Sequence, residues 1–533
     1  MKRRVGAAVA LVAVLAATAC SSADSQNEDA AAAREPLRVA TMQPASLFPP
    51  DSSGAYAFEV LDNLYDGLIR FDQKTGEPVM MVAESIKTED NVVFDIRLRT
   101  GWTFSSGEAI TAKTFQKSWS EAATVKNEWR NSAKFAQITG YAELNAAGGA
   151  GEFLSGVQVV DDQTLKVTLT APDNQFIYAL GTAPFYPLPA SAYDDVEAYT
   201  KQPVGNGPYK MAKAWDGEAE IELVRDEAYK GPKPAANPGI HFTIVTEEAT
   251  PWVQLQADEL DIALVAAADQ PNAKKQLSDR FVRKAQSNDL VYLMVPTHLA
   301  GWNDPRVRQA LSMAIDREAI IKAFFDESTV PLTDFSVPAS VGYRQKTDLP
   351  YLKYDPAAAK ALWEQVKADV GGEVAPISLG VPANYGWDEW GLAVLNGWRD
   401  VLGIEVAKLE PLANVSTAYE GGFADPVTRS RYSDTPSPAT ILVQQFTKGG
   451  TANWTDWHNP EFETTIQKAL QQRDQQAAVA AFDEAKDILI EQMPIIMLWS
   501  QGDAFGLSDR VVDFPVDNFN KSNYRDVKVV DLN

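Results

Sequence analysis

The side chains of this chain that are best suited to covalent or metal chemistry are one cysteine and three histidines, Cys20, His241, His298 and His458. The histidines stand far apart and in no metal-ligand spacing, so we expect neither a metal site nor a catalytic triad. The sequence also has no Gly-x-Ser-x-Gly elbow and no His-Glu-x-x-His helix. We therefore expect no enzymatic activity and no cofactor. Paired carboxylates for glycoside cleavage stay open as an alternative in so acidic a chain, although no motif singles out a pair.

Cys20 directly follows a pattern that is typical of a secretion signal in residues 1–19. Basic residues at positions 2–4 precede an apolar run over 5–17, and residues 17–19 supply the small side chains of a cleavage site. The run is shorter than the roughly 20 apolar residues that a membrane-spanning helix needs. A cysteine at this place resembles the bacterial lipobox, in which the thiol is acylated; a plain secretory signal is the alternative. We expect Cys20 to be lipidated and to hold the protein on the outer face of the bacterial cytoplasmic membrane.

Composition and charge limit the class of protein further. The chain has 533 residues, 45% of them hydrophobic, and 13 tryptophans, which is typical of a well-packed globular protein with two or three domains. The formal net charge of −24 disfavours binding to nucleic acid. Because Cys20 is the only cysteine, no intramolecular disulfide can form. Residues 20–36 consist of this cysteine and a stretch that is rich in polar residues and alanine. This composition predicts a flexible tether.

Strands and helices alternate irregularly along the rest of the chain. Apolar residues at alternate positions predict half-buried strands over 94–98 and 165–169, and the apolar run 495–499 predicts a buried strand. Three helix starts are predicted where a capping side chain precedes a proline at the first helical position, at residues 304–305, 355–356 and 459–460. This mixture predicts an α/β (mixed α and β) protein with several domains.

Five stretches carry a resemblance to a known family, and together they span essentially the whole mature chain: residues 63–85, 94–112, 203–209, 303–317 and 457–462. They resemble the bacterial extracellular solute-binding proteins of family 5, the substrate-binding lipoproteins of peptide ABC importers in the oligopeptide and dipeptide group. The stretch 303–317 is the most specific. In the stretch 203–209, Gly205 and Gly207 flank Asn206 and predict a loop whose backbone takes positive φ.

The resemblance implies a two-lobed fold like that of the periplasmic binding proteins, with a hinge and an extra inserted domain. Its implied division is lobe I at residues 37–65, 205–291 and 497–533, an inserted small domain at 66–204, and lobe II at 292–496. Two chain crossings, near residues 291–296 and 494–498, would form the hinge on which the lobes close around a ligand.

The resemblance also implies where a ligand is held. The family places an aspartate shortly before a proline to pair with the ammonium group of a peptide, and Asp434, four residues before Pro438, matches this spacing. A buried ammonium needs such a partner because a lone buried charge is costly. A turn-capping role for Asp434 is the alternative. The residues before this aspartate depart from the family pattern at Arg431 and Tyr432. An extra proline, Pro436, also allows the match to the family pattern to shift by two residues.

Further positions complete the predicted ligand site. Arg431 could pair with a carboxylate terminus, unless it is a surface arginine. The glycine and aromatic residues around Gly386 indicate a loop that offers flat apolar surface to ligand side chains, or else the start of a core-lining helix. A stretch near residue 453 often borders the pocket in the family. The predicted ligand-binding residues are Asp434, Arg431, Tyr432, Asn453, Trp454, Tyr385 and Trp387.

Taken together, these features predict a lipid-anchored, monomeric receptor that captures extracellular oligopeptides or dipeptides and delivers them to ABC permease subunits in the membrane. The same fold binding another small solute, such as an oligosaccharide or a metal chelate, is one alternative, and a secreted hydrolase is another. The identity and length of the ligand and the partner permease are left open by the sequence.

The predicted acylation site should control the location of the protein and not its ligand binding. We expect Cys20→Ser to move the protein from the membrane fraction into the medium, because the variant has no thiol to acylate. Immunoblots of the two fractions measure this release, and Ser22→Ala is the matched control that should stay anchored. A released variant that no longer binds ligand would contradict the role assigned to the anchor.

Overall fold

The computed structural model describes ten ranges of the chain, residues 35–146, 151–284, 287–325, 328–346, 349–370, 376–383, 386–413, 422–516, 518 and 524–532. The predicted signal, Cys20 and most of the predicted tether therefore lie outside the described residues. Within these ranges, no helix combines the length and the apolar character that crossing a bilayer requires.

The described helices and strands mix throughout the chain, which confirms the predicted α/β class. The helices are α1 (Ala55–Leu64), α2 (Ala112–Ala123), α3 (Tyr141–Leu144), α4 (Phe176–Ala179), α5 (Val196–Lys201), α6 (Thr250–Gln256), α7 (Gln270–Leu277), α8 (Pro305–Met313), α9 (Arg317–Phe324), α10 (Pro356–Val370), α11 (Asp388–Leu402), α12 (Pro438–Phe446), α13 (Pro460–Leu470) and α14 (Gln475–Gln492). The strands are β1 (Leu37–Met42), β2 (Ile69–Phe71), β3 (Pro78–Met80), β4 (Ala83–Lys87), β5 (Val93–Leu98), β6 (Val157–Asp161), β7 (Thr164–Thr168), β8 (Tyr209–Met211), β9 (Glu220–Arg225), β10 (Gly239–Val245), β11 (Ile262–Leu264), β12 (Phe281–Arg283), β13 (Asp289–Met294), β14 (Val330–Pro331), β15 (Ile377–Pro382), β16 (Val406–Leu412), β17 (Val427–Tyr432), β18 (Ile495–Ser500), β19 (Ala504–Leu507), β20 (Val511–Asp513) and β21 (Lys528–Val529).

Local sequence signals locate these elements well. The predicted strands at 94–98, 165–169 and 495–499 are confirmed as β5, β7 and β18. The three predicted helix starts are confirmed at α8, α10 and α13, each of which begins at the proline. Their capping side chains accept backbone hydrogen bonds: Asp304 from Arg306, Asp355 from Ala358, and Asn459 from Glu461 and Phe462.

A first sheet of seven strands has the order β12-β19-β11-β1-β10-β9-β8 and combines strands from the beginning, the middle and the end of the chain. Strand β1 runs parallel to both of its neighbours, β10 and β11. Its alternate residues Leu37 and Val39 are fully buried, as the alternating pattern of a strand with one covered core face requires. Because the three strands run in one direction, their carboxyl ends lie at the same edge of the sheet.

A second sheet of six strands has the order β14-β18-β13-β17-β15-β16. Every residue of β13 and β18 is buried, so these two central strands have both faces covered. The most specific stretch of the family resemblance anchors helices to this sheet: the Arg317 guanidinium donates to the carbonyl oxygens of Met497, Ser312 and Leu352 at 2.6–3.0 Å. Through this buried guanidinium, the stretch 303–317 helps to hold the helices on the second sheet.

A third sheet, β4-β5-β7-β6, belongs to the segment between residues 66 and 204, here called the inserted segment. Its start and end are held together by one side chain. The Asn206 amide accepts a hydrogen bond from the Asp66 backbone N–H at 3.1 Å and donates to the Asp66 carbonyl at 2.9 Å. The chain therefore leaves and re-enters the first sheet at a single buried junction.

The two glycines beside Asn206 serve close packing, not an unusual backbone angle. Neither Gly205, Gly207 nor Asn206 has a positive φ, so the prediction of a positive-φ loop is wrong. A Cβ on Gly205 would lie 1.9 Å from the carbonyl oxygen of Leu64, and one on Gly207 would lie 2.6 Å from the Leu64 carbonyl carbon. The backbone of this loop lies directly on the end of α1, and only glycine leaves room for it.

The chain passes between the first and second sheets at two adjacent crossings, from β12 to β13 and from β18 to β19. Strands β13 and β18 lie wholly within the second sheet, so the crossings come a few residues before position 291 and after position 498, outside the predicted hinge stretches. Pairing with both neighbouring strands keeps residues 291–294 and 495–498 in the sheet. The exact limits of the lobes stay a prediction.

The close approach at the junction of the inserted segment predicts a large effect of a single methyl group. We expect Gly205→Ala to lower the free energy of unfolding by about 1–3 kcal/mol, because the backbone of Leu64 or of the loop must shift. Thermal or denaturant unfolding measures the change. The matched control is Gly151→Ala, where a Cβ would meet its nearest neighbour at an ordinary 3.7 Å. Equal stability of the two variants would contradict this account.

Candidate functional site

A cavity of about 460 Å³ opens between the first and second sheets. One wall is the edge at which β1, β10 and β11 end, with residues 40–42, Val245 and 264–268. The opposite wall comes from the end of β17, with Ser430 and Tyr432, and from the start of α11. Ligand sites of open sheets form in this position, outside the carboxyl ends of parallel strands, because the connecting loops diverge there.

The cavity lies on the second of the two chain crossings. Its floor includes residues 501–503, which connect β18 to β19. The buried Asp289 carboxylate accepts hydrogen bonds from the Ser500 hydroxyl at 2.8 Å and from the Gln501 backbone N–H at 3.1 Å. Beside it, the Lys284 ammonium lies 2.9 Å from the Asp503 carboxylate. Burial raises the pKa of Asp289, and the hydrogen bond from Ser287 counteracts this rise.

Aromatic rings form much of the cavity surface. The aromatic residues that line it are Tyr56, Phe324, Phe325, Trp387, Trp390, Tyr432, Phe505 and Tyr524. The rings of Trp387 and Trp390 lie 5.3 Å apart, and Trp390 meets Trp499 edge-on at 5.0 Å. Aromatic walls with a few polar groups are typical of small-molecule sites.

The alternation of β17 decides which of its predicted residues reach this cavity. Ser430 and Tyr432 line the cavity, whereas Arg431, which lies between them, lines none of the described cavities. The Arg431 guanidinium donates instead to the Gln444 side chain, and burial lowers the pKa of Arg431. Successive strand residues point to opposite faces, so only one of this adjacent pair can face a ligand here.

Asp434 lies two residues beyond β17 and does not line the 460 Å³ cavity. It lines two other cavities, one of about 400 Å³ and one of about 40 Å³, and Phe58 and Asp62 of α1 line the smaller one with it. The 460 Å³ cavity is lined by Tyr56 and Glu59 of the same helix. With a rise of 1.5 Å per residue, α1 connects the two cavities over roughly 9 Å between positions 56 and 62.

The carboxylate of Asp434 already has a cationic neighbour. The Lys134 ammonium, from the inserted segment, lies 3.4 Å from its Oδ2, and about a third of each side chain is exposed. Asp434 therefore stands where an ammonium group is held, at an interface between the inserted segment and the second sheet.

Asn453 and Trp454 support the loop after α12 and do not line the described cavities. The Asn453 amide donates to the carbonyl oxygens of Thr447 and Trp457 at 2.9 and 2.6 Å. The Arg429 guanidinium stacks 3.4 Å from the centre of the Trp454 ring. Tyr385 lies outside the described residues, whereas Trp387 is buried and lines the cavity.

Several cavity residues carry no sequence motif. The charged ones are Glu59, Glu248, Glu389 and Asp503, which come from four separate parts of the chain. Glu59 accepts a hydrogen bond from the Thr41 hydroxyl at 2.7 Å and is nearly buried on the apolar face of α1. A glutamate on such a face is the one signal that sequence inspection could have used.

A metal could in principle meet ligands on the outer strands of the first sheet. Glu220, Glu222 and His241 bring one ligand atom each to within 4.8 Å of one another. The Lys213 ammonium, however, lies 2.8 Å from Glu222 and 3.9 Å from Glu220. This lysine already supplies the positive charge, so the cluster is accounted for as an ion-pair network.

The inserted segment touches the second-sheet part of the molecule through specific hydrogen bonds. The Asn174 amide donates to the carbonyl oxygens of Ala469 and Gln472, both at 2.8 Å. The Ser437 hydroxyl donates to Gln175 at 2.7 Å. With the Lys134–Asp434 pair, these contacts join the inserted segment to the second-sheet part of the molecule.

Comparison with known proteins agrees with this architecture. The family model "Bacterial extracellular solute-binding proteins, family 5 Middle" matches residues 77–453. The chain belongs to this family. The predicted membership is confirmed, and the members are binding proteins that act outside the cytoplasm.

The relatives match over most of their length. The dipeptide-binding protein DppE of Bacillus subtilis is 23% identical over 474 residues, which cover 86% of this chain and 85% of the relative. The structure of the murein tripeptide binding protein MppA of Escherichia coli has a TM-score of 0.79 at 22% identity, covering 94% of this chain and 100% of that one. Haemophilus influenzae OppA in complex with the peptide RPPGFSPFR has a TM-score of 0.77 at 19% identity, covering 93% and 99%. The predicted two-lobed fold of the periplasmic binding proteins is confirmed.

The contacts of the inserted segment predict how this family member changes shape. We expect Asn174→Ala combined with Gln175→Ala to shift the population toward a more open cleft, because three hydrogen bonds worth about 0.5–1.5 kcal/mol each are lost. Small-angle X-ray scattering should record a larger radius of gyration. Gln163→Ala, elsewhere on the inserted segment, is the control. An unchanged radius of gyration in the double variant would contradict a closing role for these contacts.

Proposed function

We propose that this protein is the substrate-binding lipoprotein of an ABC importer, which captures extracellular oligopeptides or dipeptides in its cleft and delivers them to permease subunits. It acts as a monomer, held to the membrane through Cys20, and it has no catalytic role. The observation that carries the proposal is the cavity between the two large sheets, whose floor is the second chain crossing; helix α1 also lines the separate small cavity that Asp434 borders. The relatives named above, which bind dipeptides, murein tripeptides or oligopeptides, support a peptide ligand.

The edge of β17 suits a peptide backbone. Strand β13 pairs with all six residues of β17, from Val427 to Tyr432. On the other side of β17, the pairing with β15 that is seen among the described residues is limited to Gly380 and Val427. We therefore place an extended peptide, whose main chain every sequence shares, beside the cavity-lining end of β17 at Ser430 and Tyr432.

Asp434 suits the ammonium terminus of such a peptide. It lies two residues beyond Tyr432, where β17 ends, so a peptide that lies along β17 and extends past its end would reach it. The Lys134 ammonium shows that the site accommodates a cation at hydrogen-bond distance from the carboxylate. A ligand ammonium would share or replace this contact.

Lobe closure explains how binding could be signalled to a permease. A ligand that contacts both walls of the cavity binds the closed arrangement more tightly than the open one. This difference in affinity determines how far binding shifts the protein toward the closed arrangement. The permease could then recognise the closed form, while the lipid at Cys20 keeps the protein near the membrane.

A binding experiment tests the proposal directly. We expect peptide mixtures to raise the midpoint of thermal unfolding, because a ligand that binds only the folded state stabilises it. We also expect Asp434→Asn to weaken binding of free-amine peptides by about tenfold or more, since a partly buried charge pair is lost. N-acetylated peptides of the same sequence should lose much less affinity, as isothermal titration calorimetry would show.

The controls separate the parts of the proposal. Asp388→Asn, at the exposed start of α11, should leave both kinds of peptide unaffected. Equal losses for free and acetylated peptides would remove the ammonium role from Asp434. A thermal shift with saccharides or metal chelates, and none with any peptide pool, would overturn the peptide ligand.

A further inference from the structure

All charged side chains that line the 460 Å³ cavity among the described residues are carboxylates. Glu59 belongs to α1, Glu248 precedes α6, Glu389 lies in α11, and Asp503 lies at the second chain crossing. They therefore approach the cavity from both walls and from the floor. No lysine or arginine of the described chain shares the lining with them.

Two of these carboxylates are tied into the scaffold. Asp503 pairs with the buried Lys284, and Glu59 accepts the hydrogen bond from Thr41. Glu248 and Glu389 are exposed, and they line opposite walls of the cavity. A ligand that enters between them meets a negative potential from both sides, and low-dielectric walls focus such a potential.

The aromatic end of the cavity supplies an independent indication of a ligand. Trp390 is only 2% exposed, lines the cavity, and its indole Nε1–H has no hydrogen-bond acceptor among the described residues. A buried donor without a partner is uncommon in folded proteins, because losing water costs free energy. A bound molecule with an oxygen acceptor, such as a peptide carbonyl, would satisfy it.

Trp387 and Trp390 lie close to Glu389 in the sequence, and their rings line the same cavity. Indole faces attract ammonium and guanidinium groups through the ring quadrupole. Carboxylates combined with indole faces are therefore complementary to a cation that is carried on an apolar stem, as in lysine and arginine side chains.

We propose that the cavity is a subsite for a cationic side chain, so that this protein selects peptides that carry lysine or arginine in addition to their terminal ammonium. The inference rests on the proposed peptide-binding function, and it adds a charge preference that the fold does not dictate. Asp434 would hold the terminal ammonium, and Glu248 and Glu389 would hold the side-chain cation.

Calorimetry with charge-matched peptides tests the subsite. The probes are alanine-based di-, tri- and tetrapeptides with one lysine, one glutamine or one glutamate. We expect the lysine peptides to bind about tenfold more tightly than the glutamine peptides, and the glutamate peptides to bind most weakly. The preference for lysine should fall as the salt concentration rises, because exposed charges are screened.

A double variant then assigns the effect to the cavity. Glu248→Gln with Glu389→Gln should reduce the lysine preference to about twofold or less, while the glutamine peptides keep their affinity. Both positions are exposed, so the fold should tolerate the change. The matched control is Glu143→Gln with Glu405→Gln, two exposed glutamates that line none of the described cavities; it should keep the full preference.

The outcomes distinguish this inference from the function on which it rests. Equal binding of lysine, glutamine and glutamate peptides would overturn the cationic subsite and leave peptide binding intact. A lysine preference that survives in the double variant would overturn the assignment to Glu248 and Glu389. Failure of every peptide to bind would overturn both the subsite and the proposed function.

Discussion

The buried carboxylate of Asp289 and the segments that hydrogen-bond to it determine how the two large sheets are joined. Asp289 begins β13, and its partners Ser500, Gln501 and Gly502 end β18 and lead to β19. Both crossings between the sheets thus meet at one side chain, and the Lys284–Asp503 ion pair lies next to it. Because a buried carboxylate requires its hydrogen bonds, these contacts hold the two crossings next to each other.

The cavity depends on this connection between the two large sheets. Residues 501–503 form its floor, and the ends of β1, β10 and β11 face the end of β17 and the start of α11. A second connection joins the inserted segment to the first sheet, where the Asn206 side chain hydrogen-bonds to the Asp66 backbone. The inserted segment can then place Lys134 and Asn174 against the second-sheet part of the molecule, and Asp434 lies at that contact.

Short sequence patterns predicted much of the fold, but they predicted fewer of the residues that line the cavity. Alternating apolar residues located β5 and β7, and capping residues before prolines located α8, α10 and α13, because these patterns act over a few neighbouring residues. The positive φ expected around Asn206 was wrong, since a glycine permits close packing and unusual angles alike. Among the site predictions, Tyr432 and Trp387 line the cavity, whereas Arg431 faces the other side of β17. Which of two adjacent strand residues faces a ligand depends on what covers each side of the sheet.

The sequence by itself determined the family, the mixed α/β class and several of the helices and strands, because these follow from motifs and periodicities within short stretches. It also indicated Asp434 and the aromatic segment around Gly386. Only the tertiary structure decided that Glu59, Glu248, Glu389 and Asp503 share one cavity and that Lys134 meets Asp434. These residues lie up to 444 positions apart, as the numbers of Glu59 and Asp503 show. Their meeting depends on β1 pairing with strands from distant parts of the chain, and no local pattern encodes such pairing.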